Sequence, residues 1–487
     1  MRNTPGARPL SARGLRASGW PGAPRTAIFP PDRKEYFITH PGTAAPGGRA
    51  NQLLKVSAAL ALLWLLAITF SIAVAEAAMW LSALAWGVAW LLRELDARPL
   101  DNGVRTRGPA GDVMGLVGGP IIVFFTLSFV SAISSRDQVE SLLELKEVFL
   151  FAAPLVTWAV FRDPRRRELG REVFAVGILG AVAVGIYQAA TGTPAAGDST
   201  FRATGPLGHY MTFSGVLLIS IPFLLSFRGG LKAVAARLVA ALAVAMIGLT
   251  LTRSAWIGCA IALIVYFLTG FISRTGGNAR PASRPGLTAV YIVPVVVGMV
   301  IVVVLLAALA GPEALYERAA STFSLDDPSN LDRLAMAATG LKITKAYPYL
   351  GVGPGLMESR YSAWVVEWAV RDTNPHLHNN VLQITAERGL LGLGAWLWMM
   401  AAFAVVAWRV LRAQGATGRG GPEARAALAA LAGFLAMGMF EYNFSDSEVL
   451  MALLYVVSLP LAASAGAGGG ARADDDGVAL DSGARGT

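Results

Sequence analysis

Ile292 to Ala310 reads IVPVVVGMVIVVVLLAALA, nineteen residues without a charge. A run of that length and character spans the hydrocarbon core of a bilayer, about 30 Å, as a helix. The rest of the 487-residue chain follows suit, being 54% hydrophobic and only 15% charged, with a mean hydropathy of +0.53. A soluble domain carries about 25% charged residues. The chain is therefore read as an all-α polytopic membrane protein. Its single cysteine, Cys259, lies inside an apolar run and provides neither a disulfide nor a thiolate cluster.

Working outward from that run, hydropathy predicts twelve spans, at about 53–74, 76–93, 113–133, 146–161, 172–190, 208–227, 231–251, 254–273, 286–310, 390–412, 424–440 and 447–465. The first two form a tight hairpin whose turn is marked by Glu76. Residues 1–52 are rich in Pro, Gly and Arg and lack the apolar core of a signal peptide, so they read as a disordered basic tail. Residues 53–310 hold spans one to nine, 311–389 form a long loop, 390–465 hold the last three spans, and 466–487 form a second tail.

Lys and Arg in the connections set the orientation. With the N-terminus in the cytoplasm, clusters such as Arg162, Arg165, Arg166, Arg167 and Arg171 fall inside, as do Arg409, Arg412, Arg419 and Arg425. Roughly three quarters of the 41 Lys and Arg lie on that side. The formal charge of +9 is thus a topology signal, and no nucleic-acid partner is needed to explain it.

The long loop faces outward and is patterned. Asn330 to Lys345 reads as an amphipathic helix with Leu331, Leu334, Ala338 and Leu341 on one face. Leu356 to Val370 reads as a second helix, with Trp364 and Trp368 on one stripe, either at the bilayer surface or against another loop helix. YPYLGVGPG, Tyr347 to Gly355, is a tight turn between them, with no strand–GK[ST]–helix context to make it a nucleotide loop.

Two of the four histidines stand in NPHLHNN, Asn374 to Asn380. Asn374 is a good N-cap and Pro375 suits a first helical position, which puts His376 and His378 in the first turn of a helix that Gly389 ends. Helix N-termini attract anions and disfavour imidazolium, so a histidine there stays able to accept a proton. Asn379, Gln383 and Glu387 add a polar stripe. The H-x-H pair could also be half a metal site, although metals need three or four ligands, or a polar cap with no chemistry.

Three arginines are predicted on the same outer face: Arg253 in LTLTRSAWIG, Arg333 on the first loop helix, and Arg202 shortly before His209. Arg253 has a plain reading as a snorkelling anchor, and Arg333 as a surface ion pair with Asp332 or Asp327. Together with a helix-start histidine they outline a diphosphate site, since the guanidinium fork suits phosphate oxygens.

Four stretches carry a resemblance: RATGPLGHYMTFSG (Arg202–Gly215), LTRSAWIG (Leu251–Gly258), DRLAMAATGLKITKAYPYLGVGPG (Asp332–Gly355) and HLHNNVLQITAERGLLGLG (His376–Gly394). In content and order, over about Val113 to Leu461, they resemble the O-antigen ligase and Wzy-type polymerase superfamily of bacterial membrane glycan transferases. LTRSAWIG has Arg-Ser where that family more often has Ser-Arg.

The resemblance implies a twelve-helix fold in the bacterial inner membrane, with both termini cytoplasmic and a periplasmic site working without metal, cofactor or nucleotide. It implies a glycan donor on undecaprenyl diphosphate and an acceptor hydroxyl on lipid A–core, another lipid-linked repeat or a protein. His378 matches the family's essential histidine, and Arg253 and Arg333 its arginines; Arg202 and His209 match a less specific motif. Asn379 and Gln383 would position sugar or histidine, and His376 would be a second phosphate contact. A glycan flippase is the reading from another class; nearly charge-free spans, with polar residues gathered at the outer face, argue for an enzyme. An inactive envelope subunit is a third.

Overall fold

The computed structural model describes residues 48–96, 109–192, 201–275 and 328–465. The opening run Ile292–Ala310, the span predicted there, both tails and the start of the long loop lie outside the described residues.

The described chain is helical: α1 Gly48–Ala67, α2 Ile72–Asp96, α3 Pro109–Ser134, α4 Gln138–Leu143, α5 Ala152–Phe161, α6 Pro164–Thr191, α7 Tyr210–Leu225, α8 Gly230–Leu249, α9 Arg253–Thr275, α10 Pro328–Ala346, α11 Met357–Trp364, α12 Asn380–Gln414, α13 Gly421–Met437 and α14 Ser447–Ala465. Among the described residues, eight helices are long and apolar enough to cross a membrane: α1, α2, α3, α6, α8, α9, α12 and α14. The chain is a multi-pass membrane protein.

α14 is the axis of the bundle. Its apolar window is 83% buried inside the protein, against 28–50% for the other seven of these eight, so α14 has almost no face for lipid. Tyr455 on it meets Trp64, Phe161 and Phe174 edge-on, joining α1, α5 and α6 to the centre. At one end Arg171 bonds Glu423 at 3.1 Å and Ser226 at 3.0 Å, a buried pair that ties α6 to α13. A charge so placed is retained only because a partner compensates it.

Several boundaries differ from the sequence expectations. α1 and α2 do form a hairpin, pinned where Ser57 and Ser82 exchange hydroxyl-to-carbonyl bonds of 2.9 and 2.8 Å. Its turn lies at Ile68–Ser71, however, and Glu76 sits inside α2. Residues 146–161 are helical throughout but are not one α-helix. A 3₁₀ segment, Glu144–Phe151, runs directly into the ten-residue α5. Pro154 stands in the first turn of α5, where a residue without an N–H is tolerated and an α-helical bond to the preceding turn is not made. α13 stops at Met437, leaving 438–446 as a connection to α14.

In the long loop α10 forms as expected but buries the opposite face. Ala335, Met336, Thr339 and Ile343 point inward, while Leu334 and Leu341 are about half exposed. Met336 and Ile343 join Val352, Met357, Tyr361, Leu377 and Ala386 in a small core separate from the bundle's. The face that closes this core is the one carrying Met336 and Ile343, which leaves Leu334 and Leu341 toward the outside. α11 ends at Trp364, where Val365 turns to extended backbone, so Trp364 and Trp368 share no helical stripe. Trp364 packs on Tyr347 and Trp368 is exposed.

The Tyr347–Gly355 turn joins α10 to α11 and also docks on α12. Val352 and Gly353 donate to the carbonyls of Ala386 and Glu387, and Leu390 donates back to Pro348 at 2.8 Å. α12 breaks there at Gly389, φ 67°, where a Cβ would stand 2.1 Å from the Tyr349 carbonyl oxygen. The expected stop at Gly389 is thus present, as a break between a short loop helix and the span that follows.

Candidate active site

The histidine segment is not helical. α12 begins at Asn380, and its N-cap is Asn379, whose side-chain oxygen accepts from Leu382 N at 3.0 Å. His376 and His378 therefore precede the helix, a correction to their expected place in its first turn. Asn379 and Asn380 have better cap and clamp partners than Asn374 and Pro375, and these decide where the helix starts.

HLH is an in–out pattern. Leu377 is buried, pressing on Gly340 of α10 at a point where a Cβ would meet Leu377 Cδ1 at 2.7 Å. The two imidazoles lie together on the other side with centroids 4.3 Å apart. Leu377 N also donates to Gln383 Oε1 at 2.7 Å, and Gln383 Nε2 donates to Glu387 Oε1 at 2.7 Å. Glu387 in turn takes Arg388 at 2.8 Å. The expected polar stripe is thus an internal brace. Both ends of the Asn379 and Gln383 amides are engaged within the protein, which favours positioning of the histidines over sugar contact.

His378 has φ 48°, one of two non-glycine residues with positive φ among the described residues; the other is Leu251, two before Arg253. Left-handed backbone at a bulky residue persists only where the surroundings hold it. For His378 the hold is a carboxylate. Its Nδ1 lies 2.7 Å from Glu441 Oε2, while Glu441 Oε1 accepts from Arg333 Nη2, also at 2.7 Å. Glu441 is only 3% exposed, so its charge is met by these groups instead of water. A carboxylate accepts from the Nδ1 proton, which leaves Nε2 as the basic nitrogen. The plain reading of Arg333, a surface ion pair with Asp332 or Asp327, gives way to this pair with the buried Glu441. Asp332 pairs with Arg371 instead.

Glu441 did not stand out in the sequence. Its place depends on Asn379 and Asn380, which grip the α13–α14 connection. Asn379 Nδ2 donates to Met439 O at 2.7 Å, Asn380 N to Gly438 O at 2.7 Å, and Asn380 Nδ2 to Asn443 Oδ1 at 2.6 Å. At Gly438 a Cβ would approach Asn380 Nδ2 to 2.2 Å. The asparagines beside His378 and the aromatic FEYNF stretch, Phe440–Phe444, were the available signal.

Arg253 opens α9, is 7% exposed, and donates to Asn330 Oδ1 of α10 at 3.0 Å, one turn before Arg333. α10 so connects the two arginines. Arg202 stacks its guanidinium over Tyr210 at 4.4 Å, and His209 stacks on the same ring at 4.8 Å while its Nδ1 meets Thr212 at 3.5 Å. Thr212 donates to Asp446 at 2.6 Å, and burial pushes that carboxyl up from its ordinary range. His376 is pulled down to about 4, first by burial, then by the nearby His378 and His209, with Glu441 opposing. His209 is therefore within electrostatic reach of the pair, and Arg202 shares the Tyr210 ring with His209. Among the described residues no group of three or more His, Cys, Asp or Glu is arranged to hold a metal ion.

A multi-pass helical membrane protein with a histidine–carboxylate–arginine array at one end of its bundle is the class these features define. Residues 238–397 match the family model described as O-antigen ligase, in keeping with the O-antigen ligase and Wzy superfamily that the motifs resemble. Members of that family are glycosyltransferase-like enzymes. The match takes in Arg253, Arg333, both loop histidines, Asn379 and Gln383; Arg202, His209 and Glu441 fall outside it. A comparison with curated proteins found no match.

Proposed function

We propose that this chain transfers a glycan from undecaprenyl diphosphate to an acceptor hydroxyl at the periplasmic face of the inner membrane, as an O-antigen ligase-type enzyme of twelve spans. The observation that carries this reading is the His378–Glu441–Arg333 chain, with both contacts at 2.7 Å. The distribution of Lys and Arg supports the periplasmic side.

In this reaction His378 Nε2 takes the proton of the acceptor hydroxyl as its oxygen attacks the anomeric carbon. The bond from that carbon to the diphosphate breaks, its electron pair leaves with undecaprenyl diphosphate, and the new linkage is inverted. Glu441 holds the histidine tautomer and offsets the imidazolium that forms, a role a buried carboxylate performs for other catalytic histidines. Arg253 and Arg333 meet the charge developing on the leaving diphosphate. Arg333 spends one of its five donors on Glu441, so base and leaving-group site move as one unit. Arg202 and His209 would complete the donor site, with His376 at its edge. Neither metal nor nucleotide enters the scheme.

Purified protein in lipid nanodiscs, given a lipid-linked glycan and a panel of acceptors, should release undecaprenyl diphosphate in the presence of EDTA. Full activity in His378→Ala would remove the base assignment, and activity that disappears with EDTA would remove the metal-free scheme.

A further inference from the structure

Beside the histidine pair, on the side where His376 lies, is a cavity of about 410 Å³. That is within the range of small-molecule sites, about 300–1,000 Å³. Five segments build it: Glu140 and Glu144 after α3, Glu358 and Ser359 of α11, Pro375 and His376, Gln383 to Arg388 of α12, and Tyr442 with Ser445 before α14. His376 belongs to its wall, packs on His378 at 4.3 Å, and faces the Tyr442 ring at 6.2 Å. The cavity is thus one side chain away from the candidate base.

Its electrostatics are opposite to those of the arginine side. Arg253 and Arg333 do not line it. The one arginine in its wall, Arg388, bonds Glu387 at 2.8 Å, so its charge is cancelled there. Glu140, Glu144 and Glu358 remain; among the described residues the exposed Lys146 pairs with Glu144 at 3.4 Å. Such a wall repels phosphate and carboxylate, accepts hydrogen bonds from hydroxyls and ammonium groups, and offers a tyrosine ring for a sugar face to lie on.

We propose that this cavity is the acceptor subsite, and that it takes a hydroxyl-rich saccharide bearing no phosphate or carboxylate, neutral or amine-substituted. The inference rests on the transfer reading above and adds its substrate class. The histidine pair then stands on a boundary between a cationic donor site and an anionic acceptor site. That arrangement keeps a diphosphate from entering the acceptor position and gives donor and acceptor one orientation each.

The test uses the full chain in nanodiscs and three probes: a glucosamine disaccharide, its N-acetylated form, and a disaccharide 6-phosphate. Saturation-transfer NMR should show the first two binding and the phosphate about tenfold weaker or more, narrowing to about threefold at 0.5 M salt as charges are screened. A Glu140→Gln, Glu358→Gln variant should narrow it similarly at low salt, and single Glu144→Gln serves if the double variant fails to fold. Equal binding of the phosphate, or discrimination indifferent to both salt and substitution, overturns the proposal.

A transfer assay with the same saccharides on lipid tails separates the two readings. Transfer to all of them regardless of charge refutes the cavity assignment and leaves glycan transfer standing. Selective binding with no transfer to any does the reverse.

Discussion

His378 and Glu441 are 63 residues apart in the chain and 2.7 Å apart in space. Two of the bonds that bring them together, from Asn379 to Met439 and from Asn380 to Gly438, come from residues directly following the histidine. The candidate base and its orienting carboxylate are therefore set by one short clamp between the start of α12 and the α13–α14 connection.

Glu441→Gln keeps the shape but removes the charge that holds the histidine tautomer and pairs with Arg333. Transfer should fall about 10²–10⁴-fold in kcat, with a smaller change in KM. Steady-state release of undecaprenyl diphosphate measures it, and Glu441→Asp should recover part of the loss. An unchanged kcat in Glu441→Gln would make the contact merely structural.

Gly438→Ala puts a Cβ 2.2 Å from Asn380 Nδ2, so either the clamp or α13 must shift. Overpacking of this kind costs about 1–3 kcal/mol. We expect a lowered Tm in detergent and loss of activity beyond what the fraction unfolded accounts for, since Glu441 moves with the connection. Asn380→Ala should behave alike.

Arg253→Lys retains the positive charge but loses the planar fork that reaches both Asn330 and an anion. Activity should drop about 10–100-fold, with Arg253→Ala lower still. Wild-type rates in the lysine variant would show that a point charge suffices.

His376 supplies a pH signature. Its folded-state value of about 4 lies below its ordinary 6.5, so the unfolded chain binds the proton more readily. Stability from this group is complete above pH 6.5 and is lost as pH falls through about 4. Asp446, pushed up by burial, acts with the opposite sign, so the informative quantity is wild type minus variant. A His376→Gln protein should lose less Tm than wild type between pH 7.5 and 4.5, and parallel melting curves would contradict the assignment.

Gly389→Ala meets both a positive φ of 67° and the Tyr349 carbonyl at 2.1 Å. It should release the Tyr347–Gly355 turn from α12, seen as faster hydrogen exchange at Val352, Gly353 and Leu390 and a lower Tm.

Much of this protein is local and so was readable from sequence. Apolar runs define membrane helices because each turn must satisfy its polar groups within itself, and the motifs around Arg253, Arg333 and His378 are legible in the sequence alone. Gly389 announced a break because only glycine tolerates its backbone. Where competing local signals existed, tertiary contacts chose: Asn379 over Asn374 as cap, Ala335 and Met336 over Leu334 and Leu341 as the buried face of α10. Glu441 was decided by tertiary structure alone. A carboxylate in a short connection looks solvated in sequence. It becomes a partner for His378 and Arg333 only when two asparagines draw that connection onto α12, and burial then leaves those two groups as its compensation.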